Sequence, residues 1–521
     1  MQKLKSLVQP QFLLWFLLGF HLCGNLLWLY LNNMPPLWDE AGHTRDAVIY
    51  YNIFSDVLSG KIDWFYLQEV LHNFYPPLVK VIAGALMLFL YPDIKMAQFV
   101  GTLFFLGTLV MTYKLAGYIF NSKYTAFLSA FIFSFYLNVY CRSRSLSLDI
   151  ALIFFYLSGI YFYLRSNSLE KRRESIIFTI FLICSLLTKI QALIYWLPVA
   201  LFSLINIFYA HKDSNLFKKR TINSFLVIII STIFVLPWLF YNWPTLQTYL
   251  RLSSITEIDE PSSVYQINYW LYYLKIYISD LATIPGAILS LLGLFYFFKK
   301  FQYRSFFLII IGTIYLLFSF FPHKDDRFIY PILPFIAIVS ASFVGVFTKK
   351  YAIPFILLFV LYQITLYSTI SFGFPWQMQF DIIKRRYNPI KYNYQQAVKV
   401  YKDLVYQTDE PLVFLPNYAG FNVNIFTIYT QLQRLTKASF IQSGGRTSFS
   451  SIQEVENYLK PYQYFFYTDS DIGVSWLIDL RALQQMQKYI KNRILHKQAE
   501  ILYSFTAPEG QKIQLVKIIH D

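Results

Sequence analysis

The stretch that decides the fold follows directly on the first long apolar segment, residues 11–31, and reads Pro35-Pro36-Leu37-Trp38-Asp39-Glu40-Ala41-Gly42-His43-Thr44-Arg45-Asp46. It places two adjacent carboxylates, a histidine and two further charges where the chain leaves hydrocarbon. Charged side chains at such a boundary are costly and commonly functional. The pattern therefore predicts a membrane protein whose active-site loop begins here.

The composition places the chain in the polytopic membrane class. Of its 521 residues, 56% are hydrophobic and only 14% are charged, and the first apolar segment has no small-residue cleavage site that would mark a signal peptide. The net charge of +16 resides mostly in short loops. Orientation in the membrane explains such loops, so no nucleic-acid partner is predicted. The three cysteines show neither metal-ligand spacing nor a disulfide framework.

Eleven apolar segments are predicted to span the membrane: 11–31, 97–120, 124–140, 147–165, 174–188, 190–209, 223–243, 276–298, 305–321, 328–347 and 352–371. A twelfth, 76–91, is short and opens with Pro76-Pro77. If it crossed, four basic loops would lie outside, against the positive-inside tendency. We therefore expect it to dip into the membrane or lie along it. The N-terminus is then inside and the C-terminus outside, as expected in a bacterial cytoplasmic membrane.

The predicted organisation is a membrane domain, residues 1–374, followed by a soluble α/β domain, residues 375–521. Within the first, residues 32–75 form a long outer loop with an interfacial helix from Ala47 to Leu58 and a second, short one anchored by Trp64, Phe65 and Tyr66. In the second, strands are predicted at 411–415, 438–441 and 464–467, with helices around 394–406, 451–459 and 477–495.

Asp39 and Glu40 are the strongest catalytic candidates. On a helix they would point about 100° apart, whereas His43 would share a face with Asp39 or with Asp46. One carboxylate would then accept the proton of an attacking hydroxyl, while the other groups orient it or hold a divalent metal through Asp39, Glu40 and His43. The alternative is a polar rim that caps the following helix.

His72 and Lys80 flank the double proline, which forces an extended entry and then a helical first turn. This geometry would return both side chains to the acidic loop. For His72 alone, the alternative is a polar tip at the membrane interface.

Cationic residues recur in later loops of the same predicted side. Arg142 and Arg144, with Asp149, lie in one short loop, and Lys189 lies between two apolar segments. His323, Lys324 and Arg327 belong to a run of six polar residues that interrupts hydrocarbon. Guanidinium and ammonium groups suit a phosphate, and a departing phosphate ester needs such donors. The alternatives are snorkelling anchors for the arginines and a solvated hairpin for the last run.

Together these residues resemble the GT-C glycosyltransferases, in particular the bacterial relatives of protein O-mannosyltransferases and of the aminoarabinose transferase that acts on lipid A. The resemblance spans residues 1 to about 375 and rests on Pro36-Leu37-Trp38-Asp39-Glu40, Tyr75-Pro76-Pro77-Leu78, the Arg142 to Asp149 loop, Leu187-Thr188-Lys189 and His323-Lys324-Asp325-Asp326-Arg327-Phe328. It differs at His72, which precedes the double proline by four residues where relatives often carry a charged residue immediately before it.

The resemblance implies transfer of a sugar, with inversion, from a polyprenyl-phosphate donor on the outer membrane face to a lipid, glycan or protein acceptor. It implies that Asp39 is the base and that Glu40 supports it or binds metal. Asp149 would be the second acidic site, and Arg142, Lys189 and Arg327 would neutralise the departing phosphate.

Three other classes compete with this interpretation. A transporter or flippase of lipid-linked sugars would place its charges near the bilayer midplane, often with inverted repeats, and the sequence shows no such repeat. An O-antigen-ligase-like enzyme would carry its key residues in a late outer loop. A membrane anchor for the α/β domain would need one span.

Overall fold

A computed structural model describes residues 9–63, 75–247, 265–344, 349–374, 388–435, 437–442, 448–473 and 481–519. The described chain is mainly helical. Up to residue 374 the α-helices are α1 (Pro10–Leu31), α2 (Trp38–Leu58), α3 (Leu78–Phe89), α4 (Ile94–Phe120), α5 (Lys123–Ser134), α6 (Leu137–Arg142), α7 (Leu148–Arg165), α8 (Arg172–Leu186), α9 (Ala192–Tyr209), α10 (Ser214–Tyr241), α11 (Ile267–Ile276), α12 (Thr283–Lys300), α13 (Arg304–Phe320), α14 (Leu333–Val344) and α15 (Lys349–Phe372). A π-helix, Tyr277–Leu281, precedes α12, and a 3₁₀-helix, Asp326–Ile332, precedes α14.

The C-terminal region alternates helices with strands, as the sequence predicts. Its elements are α16 (Gln395–Leu404), β1 (Leu412–Phe414), α17 (Val423–Leu432), β2 (Phe440–Ile441), α18 (Ile452–Leu459), β3 (Tyr464–Tyr467), α19 (Arg481–Leu495), β4 (Ala499–Thr506) and β5 (Lys512–Ile518). The strands form one sheet in the order β2-β1-β3-β5-β4. Strand β1 runs parallel to β2 and β3, while β5 is antiparallel to β3 and β4. Strands β4 and β5 and helix α17 are additional to the predicted elements.

The chain divides into two compact units. The helical unit comprises Met1–Leu29, Trp64–Val79 and Gln98–Asn388, and the sheet unit comprises Tyr30–Asp63, Lys80–Ala97 and Pro389–Asp521. The sheet unit thus contains α2, the helix that carries the acidic stretch, together with the C-terminal region.

The helical unit has the surface of a membrane protein. Side chains such as Phe225, Ile228 and Ile233 on α10 and Phe208 on α9 are more than 60% exposed. Apolar side chains on this scale are stable where lipid replaces water. Seven described segments are long and apolar enough to cross a bilayer: Pro10–Leu31, Ile94–Phe120, Leu148–Arg165, Ala192–Lys212, Ser214–Tyr241, Asp326–Phe343 and Pro354–Phe372. The chain is therefore a multi-pass membrane protein, and the total of eleven spans stays a prediction.

Some predicted spans are interrupted. The segment predicted at 124–140 consists of α5 and α6, separated at Tyr136, whose backbone is extended (φ −63°, ψ 116°). No proline or glycine marks this break in the sequence, so hydropathy alone conceals it. The segment predicted at 276–298 opens as a π-helix, and the segment at 76–91 yields the 12-residue helix α3, too short to span alone.

The sheet of the sheet unit is buried between helices on both faces. Because neighbouring strand residues point to opposite faces, Val413 and Phe465 pack with α18 and α19 residues such as Leu483. Phe414 and Phe466 lie on the other face, where their rings meet Phe426 of α17 at centroid distances of 5.7 and 5.2 Å. Helix α17 is therefore packed against the sheet through buried aromatic side chains.

Candidate functional site

The acidic stretch folds as the start of a helix. Helix α2 begins at Trp38, nine residues before the predicted start at Ala47, so that Asp39 and Glu40 lie in its first turn. Negative charge is stabilised there by the unpaired N–H groups of the helix terminus. Trp38 itself has φ +44°, a left-handed conformation that is rare for a bulky residue.

Five polar side chains gather around the first half of α2, and we call them the carboxylate cluster: Asp39, Glu40, His43, Asp46 and Lys80. Lys80, on α3, donates to Oδ2 of Asp46 at 2.9 Å and is 1% exposed. Arg45 donates to Oδ1 of the same carboxylate at 2.7 Å. Burial would raise the pKa of Asp46, but the charges of Lys80 and Arg45 hold it below its usual value.

A glycine allows Lys80 to reach Asp46. Gly84 lies one turn after Lys80 on α3, and a Cβ there would be only 2.8 Å from the carbonyl oxygen of Ala47 and 2.8 Å from Cβ of Tyr50. Any larger residue would therefore separate α3 from α2. The close crossing brings the Lys80 ammonium to the α2 carboxylate.

His43 lies inside the carboxylate cluster and is 6% exposed. Burial lowers the pKa of His43 to about 4, although Asp39, Asp46 and Glu40 act in the opposite direction. The imidazole is therefore neutral near pH 7. Asp39 is half-buried while Glu40 is buried, because adjacent helical residues point in different directions. Asp39 is thus the carboxylate of this pair that a ligand reaches more easily.

The metal site predicted at Asp39, Glu40 and His43 does not match the observed arrangement. Within the part of the chain that the structure describes, no three or more His, Cys, Asp or Glu side chains converge as a metal ion requires. The helical geometry accounts for this, since it turns Glu40 away from the face that Asp39 and His43 share.

A second group, the arginine cluster, lies in the helical unit and comprises Arg142, Asp149, Lys189, Asp325, Asp326 and Arg327. Arg142, at the end of α6, donates through Nε to the hydroxyl of Tyr330 at 3.0 Å and through Nη2 to Asp326 at 3.2 Å. Asp326 also accepts from Asn138 at 2.8 Å. The guanidinium is therefore held in one orientation.

The other half of the arginine cluster is organised by Asp149. Lys189 donates to its Oδ1 at 2.7 Å, and Nη1 of Arg327 lies 3.9 Å from its Oδ2. Arg327 also binds Asp325 with two nitrogens, at 2.8 and 2.5 Å. Burial would raise the pKa of Asp325, but the charge and hydrogen bonds of Arg327 bring it well below its usual range.

Three connections of the helical unit converge to build this cluster. They are the α6–α7 loop, the turn between α8 and α9 that carries Lys189, and the segment between α13 and the 3₁₀-helix. Gly101 of α4 permits one close approach, because a Cβ there would collide with the carbonyl oxygen of Ser145. The sequence predicts these loops on one side of the membrane, and the structure joins Arg142, Asp149, Lys189 and Arg327 through ion pairs that include Asp325 and Asp326.

Arg144 differs from its predicted role in phosphate binding. It is 1% exposed, donates to Asn25 at 3.0 Å and Ser371 at 2.6 Å, and lies over the rings of Trp28, Tyr140 and Tyr367. These contacts with α1 and α15 favour a structural anchor for the α6–α7 loop, although Nη1 of Arg144 is buried without a hydrogen-bond partner among the described residues.

Lys324 and His323 have separate surroundings. Lys324 donates to the carbonyl oxygen of Ser319 at 2.5 Å, at the end of α13, and lies 3.8 Å from the ring centroid of Tyr269. Burial lowers the pKa of Lys324 to about 8. His323 is half-buried against the ring of Phe328. His72, with Trp64, Phe65 and Tyr66, lies outside the described residues.

Several residues of the two clusters were not among the predicted site residues. Asp46, Asp325 and Asp326 occur within the quoted motifs, so their acidity was a usable signal. Asn138 and Tyr330, which hydrogen-bond to the arginine cluster, sit in apolar segments and give no sequence signal.

Comparison with known proteins identifies the fold. The model of the family described as dolichyl-phosphate-mannose-protein mannosyltransferase (PMT) matches residues 26–248. The apo crystal structure of ArnT from Cupriavidus metallidurans is similar over 96% of this chain and 97% of that one, with a TM-score of 0.60 and 11% identity. The structure of the same ArnT bound to undecaprenyl phosphate gives a TM-score of 0.55 and 12% identity, with the same coverage of each chain. No curated protein sequence matches the chain significantly.

Proposed function

We propose that this chain, which has the GT-C glycosyltransferase fold, transfers a sugar from a polyprenyl-phosphate donor to a hydroxyl of a lipid, glycan or protein acceptor, with inversion. The observation that carries the proposal is the PMT family match over residues 26–248, which contain Asp39, Glu40, Arg142, Asp149 and Lys189. The shared fold with ArnT, which binds undecaprenyl phosphate in one of its structures, supports the donor class.

In the proposed reaction, the acceptor oxygen forms a bond to the anomeric carbon while the bond from that carbon to the phosphate oxygen breaks. The acceptor hydroxyl is a weak nucleophile until its proton is accepted, and we assign that role to Asp39. Glu40 supports Asp39 from the same helical turn, and His43 and Lys80 line the pocket. The imidazole of His43 is neutral near pH 7 and therefore adds no positive charge beside Asp39.

The electron pair of the broken bond goes to the phosphate, which leaves as polyprenyl phosphate. We assign its stabilisation to Arg142, Lys189 and Arg327, with Lys324 and His323 as further donors on the same segment. Arg142, Lys189 and Arg327 are held by carboxylates before any ligand arrives. Such preorganisation avoids a reorganisation cost when charge develops on the leaving group. Asp149 contributes by fixing two of the three cations.

We further propose that the reaction takes place on the outer face of a bacterial cytoplasmic membrane, with the N-terminus inside and residues 375–521 forming an outer domain. The distribution of basic loops supports this orientation. The membrane itself supplies the lipid-linked donor.

The test is mass spectrometry of the lipids and glycans of a strain that lacks the chain. A transferase predicts accumulation of a polyprenyl-phosphate sugar that reagents can reach from outside, together with loss of one glycan modification. An accumulated lipid that is confined to the inner leaflet would support the competing class, a flippase of lipid-linked sugars. No accumulation and no missing glycan would overturn the proposal.

A further inference from the structure

A chain of charged contacts in the sheet unit joins the C-terminal region to the carboxylate cluster. Asn424, in the first turn of α17, accepts from Nη1 of Arg45 at 2.7 Å. Arg45 donates to Asp46 through Nη2 at 2.7 Å and through Nε at 3.0 Å. Asp46 in turn accepts from Lys80 at 2.9 Å. Four side chains from three helices thus form one continuous path.

Helix α2 makes other polar contacts, with α17 and with the residues just after it, that do not lead to the carboxylate cluster. Asn52 donates to Oε1 of Gln431 at 3.1 Å, and Arg434 pairs with Asp56 at 3.0 Å. Arg45 and Asn52 are seven residues apart on α2, as are Asn424 and Gln431 on α17, so the helices run side by side in the same direction. These contacts hold α17 on α2 independently of Asn424.

Asn424 lies on a well-anchored helix turn and can therefore hold the Arg45 side chain in one position. Helix α17 is capped by the neighbouring Asn422, whose side chain accepts from the backbone N–H groups of Asn424 and Ile425 at 3.1 and 3.2 Å. The side chain of Asn424 is therefore free of any capping duty. Arg45 is the flexible member of the path, because its side chain is 32% exposed while that of Asp46 is 10% exposed.

We propose that Asn424 is a positioning residue for the proposed transfer reaction, acting through Arg45 on the orientation of Asp46 and Lys80. This inference rests on the proposed function. When the side-chain oxygen of Asn424 is present, the Arg45 guanidinium is hydrogen-bonded to both Asn424 and Asp46 and therefore holds one oxygen of Asp46 in place. Without that oxygen, Arg45 turns to solvent and Asp46 rotates with Lys80, which displaces the Lys80 ammonium from its place near His43. Misplacement of about 1 Å costs on the order of a hundredfold in rate in well-ordered sites.

The experiment compares three variants of the full-length chain, purified in detergent. Asn424→Leu removes the acceptor at nearly constant volume, and Asn424→Asp keeps an oxygen at the same place. Gln431→Ala removes the side-chain contact to Asn52 and leaves the hydrogen bond from Asn52 to the backbone carbonyl of residue 431. Each protein is added to membranes of the deletion strain, which contain unused donor and acceptor, and consumption of the accumulated lipid-linked sugar is followed. Thermal unfolding and binding of undecaprenyl phosphate are measured alongside.

We expect Asn424→Leu to lower the initial rate of transfer at least tenfold, with its unfolding temperature and undecaprenyl phosphate affinity unchanged. Asn424→Asp restores the rate to within about twofold of wild type, and Gln431→Ala keeps it. A wild-type rate of transfer in Asn424→Leu overturns the inference. An equal loss of rate in Gln431→Ala also overturns it, because the contacts would then act only by holding α17 against α2. A wild-type chain that consumes no lipid-linked sugar overturns the proposed function, and this inference with it.

Discussion

The ammonium nitrogen of Lys189 lies 2.7 Å from a carboxylate oxygen of Asp149, and the two side chains are only 5% and 7% exposed. A buried pair of this kind is costly to desolvate, and removal of one partner leaves an uncompensated charge. The pair joins the turn between α8 and α9 to the start of α7, so it contributes both to the fold of the helical unit and to the proposed phosphate site.

Replacement of Lys189 by methionine is expected to destabilise the protein by roughly 3 kcal/mol, because Asp149 loses its nearest cation and keeps only the more distant Arg327. Thermal unfolding in detergent measures the effect, and the double variant Lys189→Met/Asp149→Asn is expected to recover part of it. The matched control is Lys437→Met, which breaks a pair of the same 2.7 Å length whose members are 63% and 57% exposed. Its effect should be much smaller, because solvent screens an exposed ion pair. Equal losses of stability in Lys189→Met and Lys437→Met would contradict the conclusion that burial makes the Lys189–Asp149 pair important for the fold.

Asp39→Asn is expected to abolish sugar transfer, because an amide does not accept the proton of the acceptor hydroxyl. Protein level and unfolding temperature should persist, since Asp39 is half-buried and the amide has nearly the same shape. Glu500→Gln, on an exposed position of strand β4, controls for loss of a negative charge elsewhere. Transfer that continues in Asp39→Asn removes this residue from the mechanism.

Gly84→Ala is expected to destabilise the packing of α3 on α2 by about 1–3 kcal/mol, because the new methyl group would overlap Ala47 and Tyr50. Transfer should fall as Lys80 moves away from Asp46. Gly19→Ala is the control, because Gly19 is also helical and a Cβ there has nothing within 4 Å. The unfolding temperatures of the two variants measure this effect on stability. An unchanged unfolding temperature in Gly84→Ala would show that the contact between α3 and α2 tolerates a side chain at this position.

Acid is expected to destabilise the protein through His43. Its pKa is about 4 in the fold and near 6.5 when exposed, so between these values the unfolded chain binds a proton that the folded chain excludes. Stability is therefore lost as the pH falls from 6.5 towards 4, by up to about 1.4 kcal/mol per pH unit. Unfolding temperatures at pH 7, 6 and 5 should fall more steeply for wild type than for His43→Gln. Parallel curves would place His43 in a more solvated environment.

Local sequence patterns predict many of the helices and strands of this protein. Long apolar runs identify α1, α4, α7 and α10, and short β-branched and aromatic runs identify β1 and β3, because each pattern reports the burial of one element. The confirmed GT-C fold follows from motifs that lie in the first and later loops. The double proline at Pro76-Pro77 likewise predicts the start of α3.

The features that could not be predicted from the sequence depend on contacts between segments that are distant in the chain. Arg142 and Arg144 are two residues apart and chemically alike, yet one faces Asp326 while the other is enclosed by three aromatic rings. Hairpin β4–β5 had a usable signal in the turn at Pro508-Glu509-Gly510, where Gly510 has φ +96°. The partnership of Asn424 with Arg45 had none, since neither residue is unusual for a polar helix surface.

The hydrogen bond between Arg45 and Asn424 joins positions 379 residues apart in the chain. At ribosomal speeds of about 5–20 residues per second, roughly 20 to 80 seconds separate the synthesis of the two side chains. Helix α2 therefore leaves the ribosome well before α17 is synthesised, and the hydrogen bond between them cannot form until translation is almost finished. Premature termination before residue 424 yields a polypeptide in which Arg45 lacks this hydrogen bond.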